Sequence, residues 1–376
     1  MKADIKSTGL RNEVLDFLRG HYMVAIIISH FNRFPSIFGY YNGRGSLWVS
    51  AAEGFVFISG ILLGMIHFPK FEQLGFWPVA NKIWKRAFQL YVINILFTLI
   101  YSLIGTAMGS GPYLNQGIVY TDFPSIVFNA MIFNYSYGWV DILILYAMLL
   151  FLTPFIMWAM HKKFTPLVLS ISFILWLYAI LTPDIQRYGG SYFPLISWQF
   201  VFTIGLAIGK HREFFSKLYR KILGGKKNIP AFLLLSLFSV TIWLSYLDLN
   251  EKLRFIPRDV IKFVFSRLEL GPGRLILFFI WFLFFYSVIH TFYPFLKKHL
   301  GFIYLTFGKN SLLTYLVHSF VLFGWFYIDS LFPRSLIVNN LLNVWMLAVI
   351  WIIVKGIIWY NQQVKSHRLN RLKGKK

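Results

Sequence analysis

Apolar residues in this chain come in long unbroken blocks, and that feature leaves few folds open. Ten blocks stand out: Val14–Asn32, Leu47–His67, Ile83–Met108, Trp139–Met160, Thr165–Thr182, Phe193–Gly209, Pro230–Leu247, Arg274–Phe295, Asn310–Ile328 and Val338–Tyr360. Each holds close to the ~20 residues that a helix needs to cross a bilayer. Of 376 residues, 57% are hydrophobic and only 14% charged, against ~45–50% and ~25% in soluble domains. The solvent for these blocks is lipid, where a backbone that must satisfy its own hydrogen bonds takes the helical form. The expected fold is all-α: a polytopic integral membrane protein of about ten transmembrane helices. No internal repeat or low-complexity linker interrupts it, so one domain is expected over residues 1–376.

Net charge is +23, and its distribution orients the helices. Lys2, Lys6 and Arg11, then Lys70, Lys82, Lys85 and Arg86, Lys162 and Lys163, Lys210 to Lys227, Lys297, Lys298 and Lys309, and the tail from Lys365 occupy alternate loops. The intervening loops are poorer in cations, with Asp122 the one charge in 107–137 and only Asp184 and Arg187 in 183–192. The basic set is therefore cytoplasmic, as are both termini. The stretch 248–274 carries Lys252, Arg254, Arg258, Lys262, Arg267 and Arg274 against Asp248, Glu251, Asp259 and Glu269, interleaved with apolar residues. It reads as an amphipathic segment on the outer interface. Basic loops of this kind meet anionic membrane lipid rather than nucleic acid. The chain has no cysteine, which excludes disulfides and thiolate chemistry. Asp16 and Arg19 at the start of the first block mark a retained helix rather than a signal peptide.

Ionisable residues inside a spanning helix are costly, which makes them functional suspects. The first helix carries Asp16, Arg19, His21 and His30. At ~100° per residue, Arg19 and His30 point within ~20° of each other, ~16 Å apart along the axis. Asp16 shares that face, one turn from Arg19, while His21 and Asn32 point elsewhere. The second helix runs back inward and carries Glu53 at the depth of His30, among the small residues Ala51, Ala52, Gly54, Gly60 and Gly64 that permit close helix approach. A carboxylate beside an imidazole orients the ring and raises its basicity, as a general base requires; a purely structural polar pair is the competing reading. Lys82, Lys85 and Arg86 form a cluster suited to phosphates, and equally to anchoring the helix at the inner face. Asp141, Gln199, His290 and His318 are further intramembrane polar groups, for which interhelical hydrogen bonds compete with chemistry. No Gly-rich phosphate loop, HExxH or Gly-x-Ser-x-Gly pattern occurs, and a metal site has little support.

Leu15-Asp-Phe-Leu-Arg19-Gly with Ser29-His30, and Ala51-Ala-Glu53-Gly-Phe-Val-Phe-Ile-Ser-Gly60, resemble the opening of the OpgC family. The similarity continues in order through Gly138-Trp-Val-Asp141, Ser197-Trp-Gln199, Leu270-Gly-Pro-Gly-Arg274 and Phe307-Gly-Lys-Asn-Ser311 to His318. These are membrane acyltransferases related to the acyltransferase-3 family and to heparan glucosaminide acetyltransferase. The resemblance implies helices around a central acyl-CoA pore in the bacterial cytoplasmic membrane. Succinyl-CoA or acetyl-CoA would enter from the cytoplasm, and an extracytoplasmic glycan hydroxyl would receive the acyl group.

Arg19 and His30 match the family's pattern of a cation separated by ten residues from the histidine that acts on the acceptor. Lys82, Lys85 and Arg86 meet the family's paired arginines only loosely. Expected roles are His30 and Glu53 in catalysis, with Arg19, Asp16, Lys82, Lys85 and Arg86 at the donor. Asp141, Gln199, Arg274 and His318 fall on the acceptor side. A transporter or flippase for a glycan or lipid-linked precursor is the main alternative, because it too needs intramembrane charges and a cavity. A non-catalytic partner in polysaccharide assembly is a third.

Overall fold

The computed structural model describes residues 12–42, 47–108, 122–183, 193–223, 229–249 and 256–373. Its helices are α1 (Glu13–Phe31), α2 (Phe38–Asn42), α3 (Ala51–Leu74), α4 (Phe76–Ala107), α5 (Phe123–Met131), α6 (Ile142–His161), α7 (Thr165–Leu181) and α8 (Leu195–Lys210). They continue with α9 (Arg212–Leu223), α10 (Ile229–Leu249), α11 (Arg258–Phe265), α12 (Pro272–Thr291), α13 (Tyr293–Lys309), α14 (Ser311–Phe326) and α15 (Leu336–Lys373). No strand occurs among the described residues. The loop residues Lys2, Lys6, Arg11, Asp184, Arg187, Lys226, Lys227, Glu251, Lys252 and Arg254 lie outside them.

All ten apolar blocks are helical. Among the described residues, six helices are long and apolar enough to cross a membrane: Glu13–Phe31, Ala51–Leu74, Phe76–Ala107, Gly138–His161, Pro272–Thr291 and Leu336–His367. Three more apolar helices are shorter, Thr165–Leu181, Leu195–Lys210 and Ser311–Phe326, and α10 is apolar over Leu233–Ser245. At 1.5 Å per residue a 16-residue helix such as α8 is only ~24 Å long, short of a ~30 Å hydrocarbon core. Several expected loops contain helices instead, the short α2 and α5 among them. Residues 293–309 form α13, and 212–223 form the amphipathic α9. Neither stretch has a twenty-residue apolar run, so hydropathy alone passes over both.

Local chemistry sets the ends of α1. The Asn12 carboxamide accepts from the amides of Val14 at 3.2 Å and Leu15 at 3.3 Å, and Asn32 closes the helix in the left-handed conformation at φ 49°. Asp122 caps α5 in the same way, accepting from the Ser125 amide and hydroxyl at 2.8 Å each. Those two bonds hold its carboxyl below the ordinary range.

The chain gathers into two compact units, one of Met1–Phe55 with Ile280–Lys376 and the other of Val56–Phe279. In the second, α3 and α8 meet backbone to backbone through two Gly-x-x-x-Gly runs, Gly60/Gly64 and Gly205/Gly209. A Cβ on Gly60 would lie 2.3 Å from the Phe202 carbonyl oxygen, and one on Gly205 would lie 2.4 Å from that of Phe57. Small residues are what let two helices approach this closely where lipid supplies no hydrophobic drive.

Other motifs of this unit also pack on one another. The indole nitrogens of Trp176 and Trp198 donate to the carbonyls of Leu270 at 3.0 Å and Leu268 at 3.1 Å, which fixes the loop that leads to Arg274. Asn94 of α4 donates to Ser136 at 2.9 Å and to the Val140 carbonyl at 2.8 Å, fixing the turn before Asp141.

Gly205→Val is expected to lower the melting temperature of the purified protein, because overpacking costs about 1–3 kcal/mol and the atom met is backbone. Gly356→Ala, whose Cβ meets nothing within 4 Å, should leave the melting temperature unchanged or raise it. Equal melting temperatures for the two variants would remove the glycine contact from the fold's supports.

Candidate active site

The first unit brings together residues far apart in sequence on α1, α13, α14 and α15. His30 lies in the last turn of α1, half-buried, and its Nδ1 is 3.1 Å from Nε2 of His318 on α14. The two rings stack at 5.1 Å between centroids and 28° between planes. His318 is fully buried, and its Nδ1 is 3.2 Å from the Tyr315 carbonyl oxygen.

This chain of contacts assigns the tautomers. A carbonyl only accepts, so Nδ1 of His318 carries a proton and donates it. In a neutral ring its Nε2 is then an acceptor, and Nδ1 of His30 must be the donor. The lone pair of His30 therefore sits on Nε2, which is where a general base needs it.

Arg33, three residues beyond His30, is fully buried and closes the end of this site. Its Nε donates to the Asp329 carboxylate at 2.7 Å, Nη1 to the Phe332 carbonyl at 3.0 Å, and Nη2 to the Asp329 and Phe332 carbonyls. The guanidinium also lies 5.5 Å from the centre of the Trp325 ring. Asp329 in turn accepts from the Trp325 indole and from Arg334, both at 2.9 Å. Asn339 and Asn343 of α15 donate to the carbonyls of Pro35 at 3.0 Å and Arg33 at 3.4 Å. The ends of α1, α14 and α15 are thereby tied together just beyond the histidine pair.

Deeper along α1, the chain folds back on itself. The Tyr41 hydroxyl, in the one-turn α2, reaches Nδ1 of His21 at 2.5 Å and the Tyr304 hydroxyl at 3.3 Å. Residues 33–42 therefore return alongside α1 to a level ten residues before its end.

Near the other end of α1, Asp16 is fully buried, and the Arg19 guanidinium lies 5.5 Å from the Phe55 ring centre. Here α1 crosses α13 in close contact. A Cβ on Gly308 would meet the Asp16 carbonyl oxygen at 1.8 Å, and one on Gly20 would meet that of Tyr304 at the same distance. The Phe307-Gly-Lys-Asn-Ser311 run thus has a physical reading. Gly308 permits the crossing, Lys309 pairs with Glu13 at 2.9 Å, and Asn310 donates to the Thr306 carbonyl at 2.9 Å while starting α14.

Glu53 is fully buried in the first turn of α3. Its Oε2 accepts from the Ser50 amide at 3.1 Å and the Ser50 hydroxyl at 2.6 Å, so the residue closes the helix start as the glutamate of a capping box does. Tyr22 of α1 fills the space that a Cβ on Gly54 would need.

The remaining predicted residues belong to the second unit. Lys82, Lys85 and Arg86 are exposed on α4, with Arg86 donating to Gln89 at 2.7 Å. Asp141 and Arg274 are buried at the starts of α6 and α12. Gln199 accepts from the Ser172 hydroxyl at 2.6 Å and donates to the carbonyls of Ser172 at 2.9 Å and Ile196 at 3.1 Å. One amide proton thus joins α8 to Ser172 of α7, and the other bonds Ile196 within α8.

Arg33, Asp329, Tyr41 and Tyr304 escape a reading of the sequence. Arg33 and Asp329 lie just beyond the ends of apolar blocks, where charge is ordinary. The tyrosines carry no signal until the chain's return path is known.

Asp329→Ala is expected to destabilise the protein by about 3–5 kcal/mol, the cost of stranding a buried guanidinium. Thermal unfolding checks this, and a loss below about 1 kcal/mol, as for an exposed pair, would reduce the clamp to a surface contact.

Two comparisons give no relative: no curated protein and no solved structure matches the chain. A third does, with the family model described as OpgC protein matching residues 11–362. That span runs from the start of α1 through most of α15 and includes every candidate site residue named above. The chain belongs to the OpgC protein family.

Proposed function

We propose that this protein is a membrane O-acyltransferase, moving a succinyl or acetyl group from cytoplasmic acyl-CoA to a hydroxyl of an extracytoplasmic glycan. Family membership supports the reaction class. The observation that carries the residue-level reading is the histidine pair, whose tautomers leave a lone pair on Nε2 of His30.

In the proposed step the glycan hydroxyl oxygen attacks the thioester carbonyl while its proton passes to Nε2 of His30. The carbon–sulfur bond then breaks, and the proton returns from the imidazolium to the departing thiolate of CoA. His318 accepts the Nδ1 proton of His30 throughout, and so orients the ring and stabilises its charged form. Glu53, buried in the same unit, is assigned with His30 to catalysis. Arg19, Asp16, Lys82, Lys85 and Arg86 are assigned to the donor, and Asp141, Gln199 and Arg274 to the acceptor. The reading includes ten spans in one domain around a pore in the bacterial cytoplasmic membrane, with both termini in the cytoplasm.

The test uses purified protein, labelled acyl-CoA and isolated surface glycan, with the product read by mass spectrometry. His30→Ala should still fold and bind acyl-CoA but lose transfer by about 10²–10⁴-fold. His318→Gln keeps an acceptor for the Nδ1 proton and should retain more transfer than His318→Leu, with folding of both checked by melting temperature. Retention of more than about a tenth of transfer by His30→Ala, far above that range, would give the base to another group. Binding of acyl-CoA or glycan without transfer by the wild type would favour a transporter.

A further inference from the structure

We infer that α13 carries a phosphate cradle at the Glu13 end of α1, occupied in this structure by the carboxylate of Glu13. Three donors from one helix converge on that side chain. The Tyr293 hydroxyl lies 2.8 Å from Oε2, the Lys297 ammonium 2.6 Å from Oε2, and the Lys309 ammonium 2.9 Å from Oε1. Tyr293 and Lys309 are the first and last residues of the seventeen in α13, so this helix wraps a single anion with both ends.

Charge and exposure argue that the anion is replaceable. Two ammonium groups and a phenol share the two oxygens of one carboxylate. A phosphate monoester, close to dianionic at neutral pH and with three acceptor oxygens, would offer each donor an oxygen of its own. The side chains are 34% exposed for Glu13, 49% for Lys297 and 34% for Lys309, and ion pairs this open to water contribute little. Exchange therefore costs little, whereas an incoming phosphate regains charge-assisted bonds to the same three donors. Once displaced, Glu13 remains in the first turn of α1, where the helix N-terminus favours a negative charge. Lys298 is adjacent and exposed, adding to the local positive potential.

The ligand class is a soluble phosphate ester, and under the acyl-CoA reading it is a phosphate of the donor; that identification rests on the proposed function. Glu13 then competes with the donor for its own site, and its removal should help binding. A structural ion cluster makes the opposite prediction, because losing either sign of charge would loosen it.

The experiment measures binding of inorganic pyrophosphate and of CoA to the full-length protein in phosphatidylcholine nanodiscs. Glu13→Gln, which keeps the shape and a hydrogen-bond acceptor, should bind both probes about 3-fold more tightly. Lys297→Gln and Lys309→Gln should each bind about 5-fold more weakly, the scale of one partly exposed charge contact. Melting temperatures of all three should stay near that of the wild type. Unchanged or weaker pyrophosphate binding by Glu13→Gln overturns the cradle, whatever the protein does with CoA. Tighter pyrophosphate binding without CoA binding supports the cradle and removes the acyl-CoA reading instead. Selective retention of phosphatidylglycerol by Glu13→Gln, with neither soluble probe bound more tightly, assigns the three donors to a lipid headgroup and overturns the inference.

Discussion

A polar group held in hydrocarbon must find its partner within the chain, and the interior of this protein is organised by that requirement. Arg33 meets it with an aspartate and a set of carbonyls gathered from the turn after α14. His318 meets it with a carbonyl of its own helix on one nitrogen and another imidazole on the other. The second case has a chemical consequence that the first lacks. A carbonyl cannot donate, so it dictates where the protons lie along the chain, and the final lone pair emerges on His30. A carboxylate in place of the Tyr315 carbonyl would not change that direction; an ammonium or amide donor there would reverse it.

The helices themselves were legible because lipid demands long apolar runs, and all ten blocks are helical. The side-chain stripe on α1 was legible for the same kind of reason, since a fixed 100° step relates Arg19 to His30 without any tertiary knowledge. Tertiary partners were not. His318 sits 288 residues from His30, and nothing in local sequence selects it over Glu53 as a neighbour. The helix α13 was hidden differently. Its lysines and histidine break the apolar run, yet Gly308 and Gly20 let it lie against α1 as closely as two backbones can. Hydropathy detects what faces lipid, and α13 is held by what faces α1.

Several motifs change meaning once the packing is known. Gly60 and Gly64 read as small residues that permit close helix approach, and the structure supplies what approaches, Gly205 and Gly209. Gln199 reads either as an acceptor contact or as an interhelical bond, and in the structure it both donates to and accepts from Ser172 of α7. Glu53 reads as a partner for an imidazole, and its Oε2 also closes the first turn of α3 with Ser50. Residue type alone does not separate these uses, because burial in a membrane favours the same polar side chains for a hydrogen bond between helices as for chemistry.

The arrangement along α1 limits what substrate geometry the proposed reaction can use. Glu13 and His30 are seventeen residues apart, which a regular helix converts to ~25 Å, most of the ~30 Å thickness of a hydrocarbon core. A donor holding a phosphate at the first and presenting its thioester at the second would have to be long, thin and extended. Its charged end would stay near water while its uncharged arm ran along the helix. A rigid helix suits that task better than a loop, because it fixes the distance between the two ends whatever the surrounding helices do. The clamp of Arg33 on Asp329 then acts at one end of this ruler and the pairing of Glu13 with α13 at the other. Fine adjustment of reach is left to the side chains, since the backbone between them has no freedom to supply it.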